Sequence, residues 1–575
     1  VQKKIIRRNL EITEKFSSPD LHPLLHRIYS VRGITSSTQL ECGLERLLPY
    51  HDLLGIDKAV SYLAESLRLQ EKILIVGDFD ADGATSTAVA VRALKSFGAQ
   101  QVDFLVPNRF TFGYGLTPEL VNAAKDYSPA IIVTVDNGIA NNAGVAAAKA
   151  LGIKVIVTDH HLPGLTLPDA DVIVNPNQPG DKFVSKNIAG VGVIFYVMLA
   201  LRRHLSDIGW FKEKNIHEPN MSHLLDLVAL GTVADVVALD HNNRVLVQQG
   251  LRRIRAGLCV PGISALLEIA NRNQARLVAS DLGFAVGPRL NAAGRLDDMS
   301  FGIACLLTDN AAEAMKMAMT LNEMNDERRL IEQDMQGQAL EILAKIKPDK
   351  QTELPKGICL FDPQWHQGVI GILASRIKDR FHRPVIAFAL SNENEIKGSA
   401  RSVSGLHIRD VLAHIAAKYP HLIDKFGGHA MAAGLSMPRA AFKEFTQRFD
   451  EVVSQYITDE QLNNFLMSDG ELQSNELNLE VAEVLRAAGP WGQAFPEPMF
   501  DGVFELLDQR LVGNKHLKML LIGNEQTVDA IAFNIDIEKW PNHRCKQVHI
   551  AFRLDVNEFR GRRNVQLIVE NLAEA

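Results

Sequence analysis

The sequence predicts an α/β protein: a domain built on a parallel sheet, a long connecting helix, a second α/β domain and a small C-terminal β-barrel. Three observations carry that expectation. From about residue 55 to 240, short β-branched runs alternate with alanine-rich stretches of helical character. From Thr308 to Ile346 there is no proline and a single glycine, Gly337. Beyond residue 465, short strand-like runs are separated by turn residues.

Residues 1–50 mix basic, polar and proline positions and are expected to form an extension packed on the first domain. That domain, 51–305, opens with Ile73-Leu-Ile-Val-Gly77, followed by Val102-Asp-Phe-Leu-Val106, Ile131-Ile-Val-Thr-Val135 and Lys154-Val-Ile-Val-Thr158. Short β-branched runs bounded by helical stretches read as buried parallel strands. Ala84–Phe97 and Ala140–Leu151 supply crossover helices, so the units are βαβ. Met221–Val233 reads as a helix that delivers Asp235 after Gly231-Thr-Val-Ala234. The Thr308–Ile346 stretch, rich in Met, Leu, Glu, Gln and Arg, predicts a connecting helix, or two in series, within 306–350. The second α/β domain, 351–460, is punctuated by Trp365-His-Gln-Gly368, Gly398-Ser-Ala-Arg-Ser402 and Phe426-Gly-Gly-His429. In 465–575, Val503–Leu507, Leu517–Ile522, Val528–Phe533, Val548–Leu554 and Val565–Val569 fit a five-stranded barrel such as an OB-fold.

The chain of 575 residues is 46% hydrophobic and 22% charged, ordinary values for a globular protein. Five scattered cysteines (Cys42, Cys259, Cys305, Cys359, Cys545) form no CxxC pair, which argues against a zinc ribbon or disulfide scaffold and fits a reducing compartment. The opening Val1-Gln-Lys-Lys-Ile-Ile-Arg-Arg8 lacks the apolar core of a signal peptide. The longest apolar stretch, Val191–Leu201, is shorter than the ~20 residues of a membrane span. The expectation is a cytoplasmic enzyme. A net charge of −7 speaks against whole-surface binding of nucleic acid and leaves room for a localised basic channel.

Three of the predicted strands end in acidic or histidine clusters: Asp78-Phe-Asp80-Ala-Asp82-Gly83, Asp136-Asn137-Gly138 and Asp159-His160-His161. In open α/β sheets, ligands bind outside the carboxyl ends of the strands. The three ends therefore offer carboxylates and imidazoles to one crevice, a metal site for two ions. An EF-hand loop is excluded by spacing, because the position of its bidentate glutamate falls on Val89. Hard divalent ions take carboxylate oxygens, and Mn²⁺ accepts imidazole as well. Asp-Asn-Gly alone is a good turn; beside the other clusters, Asp136 is a bridging carboxylate. Adjacent histidines on an extended backbone point apart, so one binds metal and the other contacts substrate. Asp235 is flanked by the apolar Val236-Val-Ala-Leu239, which predicts a buried carboxylate in need of a partner. Two ions ~3.5–4 Å apart activate water for in-line displacement at phosphorus.

The succession DxDxDG, DNG, DHH and GTVAD resembles the DHH phosphoesterase superfamily, and Gly427-Gly-His-Ala-Met-Ala-Ala-Gly434 is similar to its associated substrate-binding (DHHA1-like) domain. Further segments look like the superfamily's single-strand-specific 5′→3′ exodeoxyribonucleases: Pro107-Asn-Arg109 with Gly113-Tyr-Gly115, Gly287–Arg295, Trp365–Gly371, Gly398–Ser402 and the OB-like end. The resemblance implies that Asp80, Asp82, Asp136, His160 and Asp235 hold two Mn²⁺ or Mg²⁺ ions. It implies a catalytic set of His161, Asp136 and Asp159, with His161 touching the scissile phosphate. Many members carry a metal-binding histidine upstream of the first DxD; Val76 and Asp78 occupy that stretch here, so Asp78 stands either as a substitute ligand or behind the ligands.

Arg109, Ser399 and Arg401 are candidates for reading a 5′ end, and Gly427, Gly428 and His429 for approaching phosphate or sugar. Arg289, Asn291 and Arg295 are candidates for lining the strand path, with Arg295 alternatively paired to Asp297 or Asp298. Phe110, Phe112, Tyr114 and Trp365 stack on bases or pack in the core. In the OB-like nucleic-acid-binding domain, Arg510, Lys515, His516, Lys518, Phe533, Arg553, Arg560, Arg562 and Arg563 line a groove for the incoming strand. The implied function is processive 5′→3′ degradation of single-stranded DNA to mononucleotides in recombination and repair. The implied enzyme is a monomer acting after a helicase and alongside single-strand-binding protein. A rival is a DHH enzyme on oligoribonucleotides, cyclic dinucleotides or pyrophosphate, which the length and C-terminal domain disfavour. A second is a binding protein with a dead core, which the complete acidic and histidine set disfavours.

Overall fold

The computed structural model describes residues 3–8, 21–108, 112–346, 354–458, 461–523, 526–559 and 561–575. The chain divides into two compact units: Asn9–Asn325 with Asn478–Pro498, and Val1–Arg8 with Asp326–Leu477 and Met499–Ala575.

The first strand, β1 (Lys4–Arg7), departs from expectation: it belongs to the second unit and pairs in parallel with Phe465–Ser468. The reason is charge complementarity that local pattern does not show. Arg7 Nη2 lies 2.8 Å from the buried Asp501, and Arg8 Nε lies 3.5 Å from Asp469. The helix Pro23–Ser30 does stay with the first unit, burying Leu24, Leu25 and Ile28 and donating the Tyr29 hydroxyl to Ala488 O at 2.7 Å.

The first unit is organised by β2 (Ile73–Val76), β3 (Val102–Leu105), β4 (Ile131–Val135), β5 (Lys154–Thr158) and β6 (Val172–Val174). All pairings are parallel and the order is β3-β2-β4-β5-β6. Every residue of β2 and β4 is buried, which is why these strands read as near-continuous apolar runs, interrupted only by Thr134. The chain steps from β2 to β3 on one side and then returns to β4 on the other. The carboxyl ends of β2 and β4 thus flank a topological switch point, where such sheets bind ligands.

The helix Ala81–Ser96 follows β2 and is buried along nearly its whole length, with small residues such as Ala84, Ala88 and Ala90 allowing close neighbours. Its neighbours are Gly190–Asp207 and Leu225–Ala234, the latter apolar all round and correspondingly buried. The predicted helix over Met221–Val233 is a 3₁₀ turn, Met221–Leu224, leading into the α-helix Leu225–Ala234. A π-helical segment, Leu282–Val286, runs into Gly287–Leu296.

The connecting helix is a single one, Ala311–Ile346. The second unit carries β7 (Ile358–Phe361), β8 (Val385–Leu390), β9 (Glu395–Arg401), β10 (Lys425–Gly428) and β11 (Ala432–Pro438) in the order β10-β11-β9-β8-β7. Only the β7–β8 pairing is parallel. Phe388, Phe445 and Phe449 anchor its core. After β12 (Phe465–Ser468) the barrel follows: β13 (Phe500–Val512), β14 (His516–Gly523), β15 (Gln526–Ala532), β16 (Gln547–Phe559) and β17 (Arg562–Glu574). It closes in the order β13-β14-β15-β17-β16, with β15 and β17 parallel. The strands outrun the predicted apolar runs because antiparallel ladders continue into polar ends, as at Arg510↔Lys518 and Glu558↔Arg563.

Candidate metal centre

The loop after β2 is shaped by its own residues. Asp80 caps the helix Ala81–Ser96, its Oδ1 accepting the N–H groups of Asp82 at 2.9 Å and Gly83 at 3.1 Å. That places Asp82 in the first turn, where its buried carboxylate accepts from Gly190 N at 2.7 Å and Val191 N at 3.0 Å. The N-terminus of the helix Gly190–Asp207 thus points at Asp82 and favours its charge. Gly190 is required there: a Cβ would lie 2.6 Å from Asp136 Cβ and Oδ1.

Backbone strain gathers at the same place. Asp136 has φ +61° and Val236 has φ +63°. For a β-branched residue that conformation is a true outlier, and such outliers cluster at functional sites. The turn at Val236 leaves that side chain 64% exposed, while the Asp235 side chain keeps only 21% of its surface exposed, in line with the expected buried carboxylate. A left-handed turn, invisible in composition, lifts Val236 out of the core.

The two histidines face different groups. His160 Nε2 lies 3.1 Å from Asp136 Oδ1, 3.5 Å from Asp235 Oδ2 and 3.9 Å from Asp82 Oδ2. His161 Nδ1 instead lies 2.7 Å from Asp159 Oδ1, while its Nε2 lies 3.3 Å from the Tyr114 hydroxyl. Asp159 Oδ1 also accepts the N–H groups of His160 and His161, and its Oδ2 accepts Ile139 N at 2.9 Å.

Three overlapping sets of side chains bring potential ligand atoms within 4.8 Å of one another: Asp82/His160/Asp235, Asp78/Asp80/Asp136 and Asp136/His160/His161. Asp136 belongs to two of them, and Asp78 joins one. Asp136 Oδ1 and His160 Nε2 are both buried without a hydrogen-bond partner.

Burial pushes the Asp82 and Asp136 carboxyls well above their usual range, and the neighbouring carboxylates push them further. Burial raises Asp235 too, against the opposing pull of His160. Burial keeps the His160 pKa below its ordinary value, so that ring is neutral and available as a ligand. His161 behaves oppositely. Burial pulls it down, but the charge and hydrogen bond of Asp159, followed by Asp235 and Asp78, outweigh that and push it up to about 10. Asp159 is held at about 2, its burial outweighed first by the His161 charge and hydrogen bond. Carboxylates forced together out of water need cations, and the ligand set fits divalent ions.

Two residues that sequence reasoning missed hold the histidines in place. Asn175 Nδ2 donates to His161 O at 3.0 Å and Asn177 Nδ2 to His160 O at 2.6 Å. Their signal was present: Asn175-Pro-Asn177 directly follows β6, a fourth strand end facing the crevice. Asn137 spans the switch point, donating to Val76 O at 3.0 Å and Val135 O at 2.9 Å.

The expected strand-path residues Arg289 and Asn291 are engaged elsewhere. Arg289 is buried and donates to Ala285 O and Asn322 Oδ1, bracing the π-helical segment; Asn291 Oδ1 accepts Ala81 N at 2.7 Å and so steadies the acidic loop. Arg295 is half-buried in the last turn of the helix Gly287–Leu296. Arg109 and Phe110 lie outside the described residues, as does Arg560. Phe112 packs against the core beneath the sheet, and Trp365 is buried with its Nε1 donating to Gln338 Oε1, so neither is a stacking surface.

In the second unit, Arg401 Nη1 donates to Ser399 Oγ at 3.1 Å and to Ala400 O at 2.8 Å. Burial lowers the Arg401 pKa, and among the described residues no carboxylate pairs with it. Gly371, in the first turn of the helix Ile370–Phe381, packs against both side chains. Across the sheet, Gly427, Gly434 and Ser399 share one register row, a strip of nearly bare backbone; Gly428 and exposed His429 turn β10 into β11. On the barrel, Lys518 pairs with Asp529 and Arg553 with Glu570, while exposed Phe533 packs edge-on against His516. Lys515, Arg510, Arg562 and Arg563 are exposed.

Comparison with known proteins matches three stretches of the chain. Residues 72–232 match the DHH family N-terminal domain, 355–455 the DHHA1 domain and 468–571 the RecJ OB domain. The chain is 55% identical over 573 residues to the single-stranded-DNA-specific exonuclease RecJ of Salmonella typhimurium, covering 99% of both chains. It is 55% identical over 575 residues to the Escherichia coli protein of that name, covering 100% of both. Among solved structures, it is similar to RecJ of Thermus thermophilus in complex with Mn²⁺, with a TM-score of 0.79 and 30% identity, over 100% of this chain and 80% of that one. The Mg²⁺ complex of the same protein gives a TM-score of 0.75 at 27% identity, over 100% of this chain and 78% of that one.

Proposed function

The chain belongs to the RecJ family of single-stranded-DNA-specific exonucleases, and from that premise we propose that it removes nucleotides from the 5′ end of single-stranded DNA at the centre on β2, β4 and β5. It is a metal-dependent phosphodiester hydrolase using Mn²⁺ or Mg²⁺. Asp82, His160 and Asp235 would hold one ion and Asp78, Asp80 and Asp136 the other; Asp136 Oδ1, 3.1 Å from His160 Nε2, stands where it could serve both. When bound, the ions supply the Lewis acidity that polarises the phosphoryl oxygen and lowers the pKa of water.

The chain's own groups do the rest. Asp159 takes the Nδ1 proton of His161 in a hydrogen bond, which leaves the Nε2–H to donate to a phosphate oxygen. Because that ring stays charged to about pH 10, it offsets charge building on the phosphate at neutral pH. Asn175 and Asn177 fix the backbone of both histidines. Ser399 and Arg401 grip a phosphate of the strand, and the Gly427–Gly434–Ser399 row lets a backbone come close. The exposed cations of the barrel add a salt-sensitive, sequence-independent contribution to binding.

Such an enzyme acts on strands that a helicase has exposed, alongside single-strand-binding protein, as a monomer in the cytoplasm during recombination and repair. Among the described residues, no helix is long and apolar enough to cross a membrane.

One observation carries the reading: Asp136 Oδ1 and His160 Nε2, 3.1 Å apart and buried with neither in a hydrogen bond, at the junction of overlapping ligand sets. The test is release of label from single-stranded DNA marked at either end, with a dinucleotide as a third substrate. Immediate release of the 5′ label as a mononucleotide supports the reading. Immediate release of the 3′ label overturns the polarity, and preference for the dinucleotide overturns the polymer.

A further inference from the structure

Tyr114 carries two features that its neighbours do not share. Its hydroxyl lies 3.3 Å from His161 Nε2, while 46% of the residue is exposed. The hydroxyl thus reaches into the acidic cluster and the ring remains at the surface. That ring packs edge-on against Phe79, with centroids 5.8 Å apart, and against His161 at 6.1 Å.

The backbone that carries it is made to turn. Gly113 has φ +78° and Gly115 has φ +67°, so Tyr114 stands between two left-handed glycines. Asn141 anchors it to the β4 end, its Nδ2 donating to Tyr114 O at 3.3 Å. Tyr114 therefore stands in a turn, outside any strand or helix.

The imidazole of His161 has two polar vertices. Asp159 takes Nδ1 at 2.7 Å, and Tyr114 takes Nε2. A phosphate oxygen needs the vertex that Tyr114 holds, and the two cannot share it at full strength. Once displaced, the hydroxyl leaves behind a half-exposed aromatic face beside Phe79 at the mouth of the site. Every nucleobase stacks on such a face irrespective of sequence.

We propose that Tyr114 is a substrate-displaced positioning residue. Its hydroxyl holds the Nε2 vertex of His161 until a phosphate oxygen takes that vertex, and its ring then carries the base at the strand end. The inference rests on the assignment of His161 to the phosphate.

The test uses full-length Tyr114→Phe, Tyr114→Ala and Tyr114→Trp. Binding is read in EDTA from the quenching of 2-aminopurine placed at the 5′ or the 3′ terminal base of single-stranded DNA. Turnover is read as kcat and KM with Mn²⁺. Tyr114→Phe keeps the platform and removes the competitor for Nε2: kcat and quenching stay within about twofold of wild type while KM falls about three- to tenfold, the worth of one hydrogen bond. Tyr114→Ala loses quenching and raises KM about tenfold or more. Tyr114→Trp restores quenching and brings KM back to wild type or below, with kcat unchanged within about twofold. If Tyr114→Phe raises KM as far as Tyr114→Ala, the hydroxyl binds DNA directly and the inference is wrong. It is equally wrong if Tyr114→Ala keeps wild-type KM and quenching. Should Tyr114→Ala lose its thermal transition, the Phe and Trp variants decide alone. Tyr114-dependent quenching at the 3′ base upholds the inference and contradicts 5′ polarity; loss of metal-dependent turnover in the wild type contradicts the functional reading itself.

Discussion

Replacing Asp159 by asparagine removes the charge that sets the state of His161 while keeping the side chain's shape. In the metal-free protein the His161 pKa stands at about 10 against an ordinary 6.5. At about 1.4 kcal/mol per unit, the difference is on the order of 5 kcal/mol of preference for the imidazolium, with Asp159 as its largest source. Without that carboxylate, burial dominates and His161 becomes neutral at pH 7. The sign for stability follows from a raised pKa: the contribution is complete below about pH 6.5 and is lost as the pH rises through about 10. The matching depression of Asp159, from 3.8 to about 2, is the same interaction seen from its partner; that contribution is present above pH 3.8 and lost as the pH falls through about 2. The assay is a ¹⁵N-histidine NMR titration of wild type and Asp159→Asn without metal, followed by kcat with Mn²⁺. The expected result is a fall of His161 below its ordinary value and a loss of about a hundredfold or more in kcat. A wild-type His161 that titrates near 6.5, or a variant with unchanged kcat, would refute the reasoning.

Four further outcomes follow from the same geometry. Asp136→Ala or His160→Ala should abolish cleavage and weaken Mn²⁺ binding while leaving DNA affinity in EDTA unchanged, as read by calorimetry and fluorescence anisotropy. Because Asp82, Asp136 and Asp235 hold their protons more tightly than ordinary carboxyls, Mn²⁺ binding should release protons and tighten as the pH rises; calorimetry in buffers of different ionisation enthalpy measures that release. Gly190→Ala should displace Asp136, costing about 1–3 kcal/mol in urea unfolding and most of the activity, since no side chain fits beside that carboxylate. Arg401→Ala should lower the affinity for 5′-phosphorylated strands about tenfold, with a smaller effect on strands ending in a hydroxyl.

Legibility in the sequence tracked the range of the interactions. The buried strands β2, β4 and β5 could be read because burial on both faces leaves near-continuous apolar runs, and the acidic and histidine clusters could be read because each directly follows such a run. The barrel strands were visible through a different local signal, short β-rich runs set off by turn residues, since burial alternates along them. Pairings across hundreds of residues were not. The placement of Lys4–Arg7 beside Phe465–Ser468 depends on Arg7 meeting Asp501, and Arg289 turns to Ala285 and Asn322 through a π-helical geometry that has no composition. Asn175 and Asn177 escaped notice because amides in a turn look like turn residues; only the fold shows them on the histidine carbonyls. The exposure of Val236 likewise came from one left-handed φ rather than from its apolar neighbours.

In the proposed centre Asp136 serves two ion sites, one completed by Asp82, His160 and Asp235 and the other by Asp78 and Asp80. Anomalous diffraction at the manganese edge from crystals soaked in Mn²⁺ tests it most directly. Two peaks are expected, one in each set, with an Asp136 oxygen bound to both. A single peak that leaves Asp78 and Asp80 unliganded, or two peaks with Asp136 bound to neither, would contradict it.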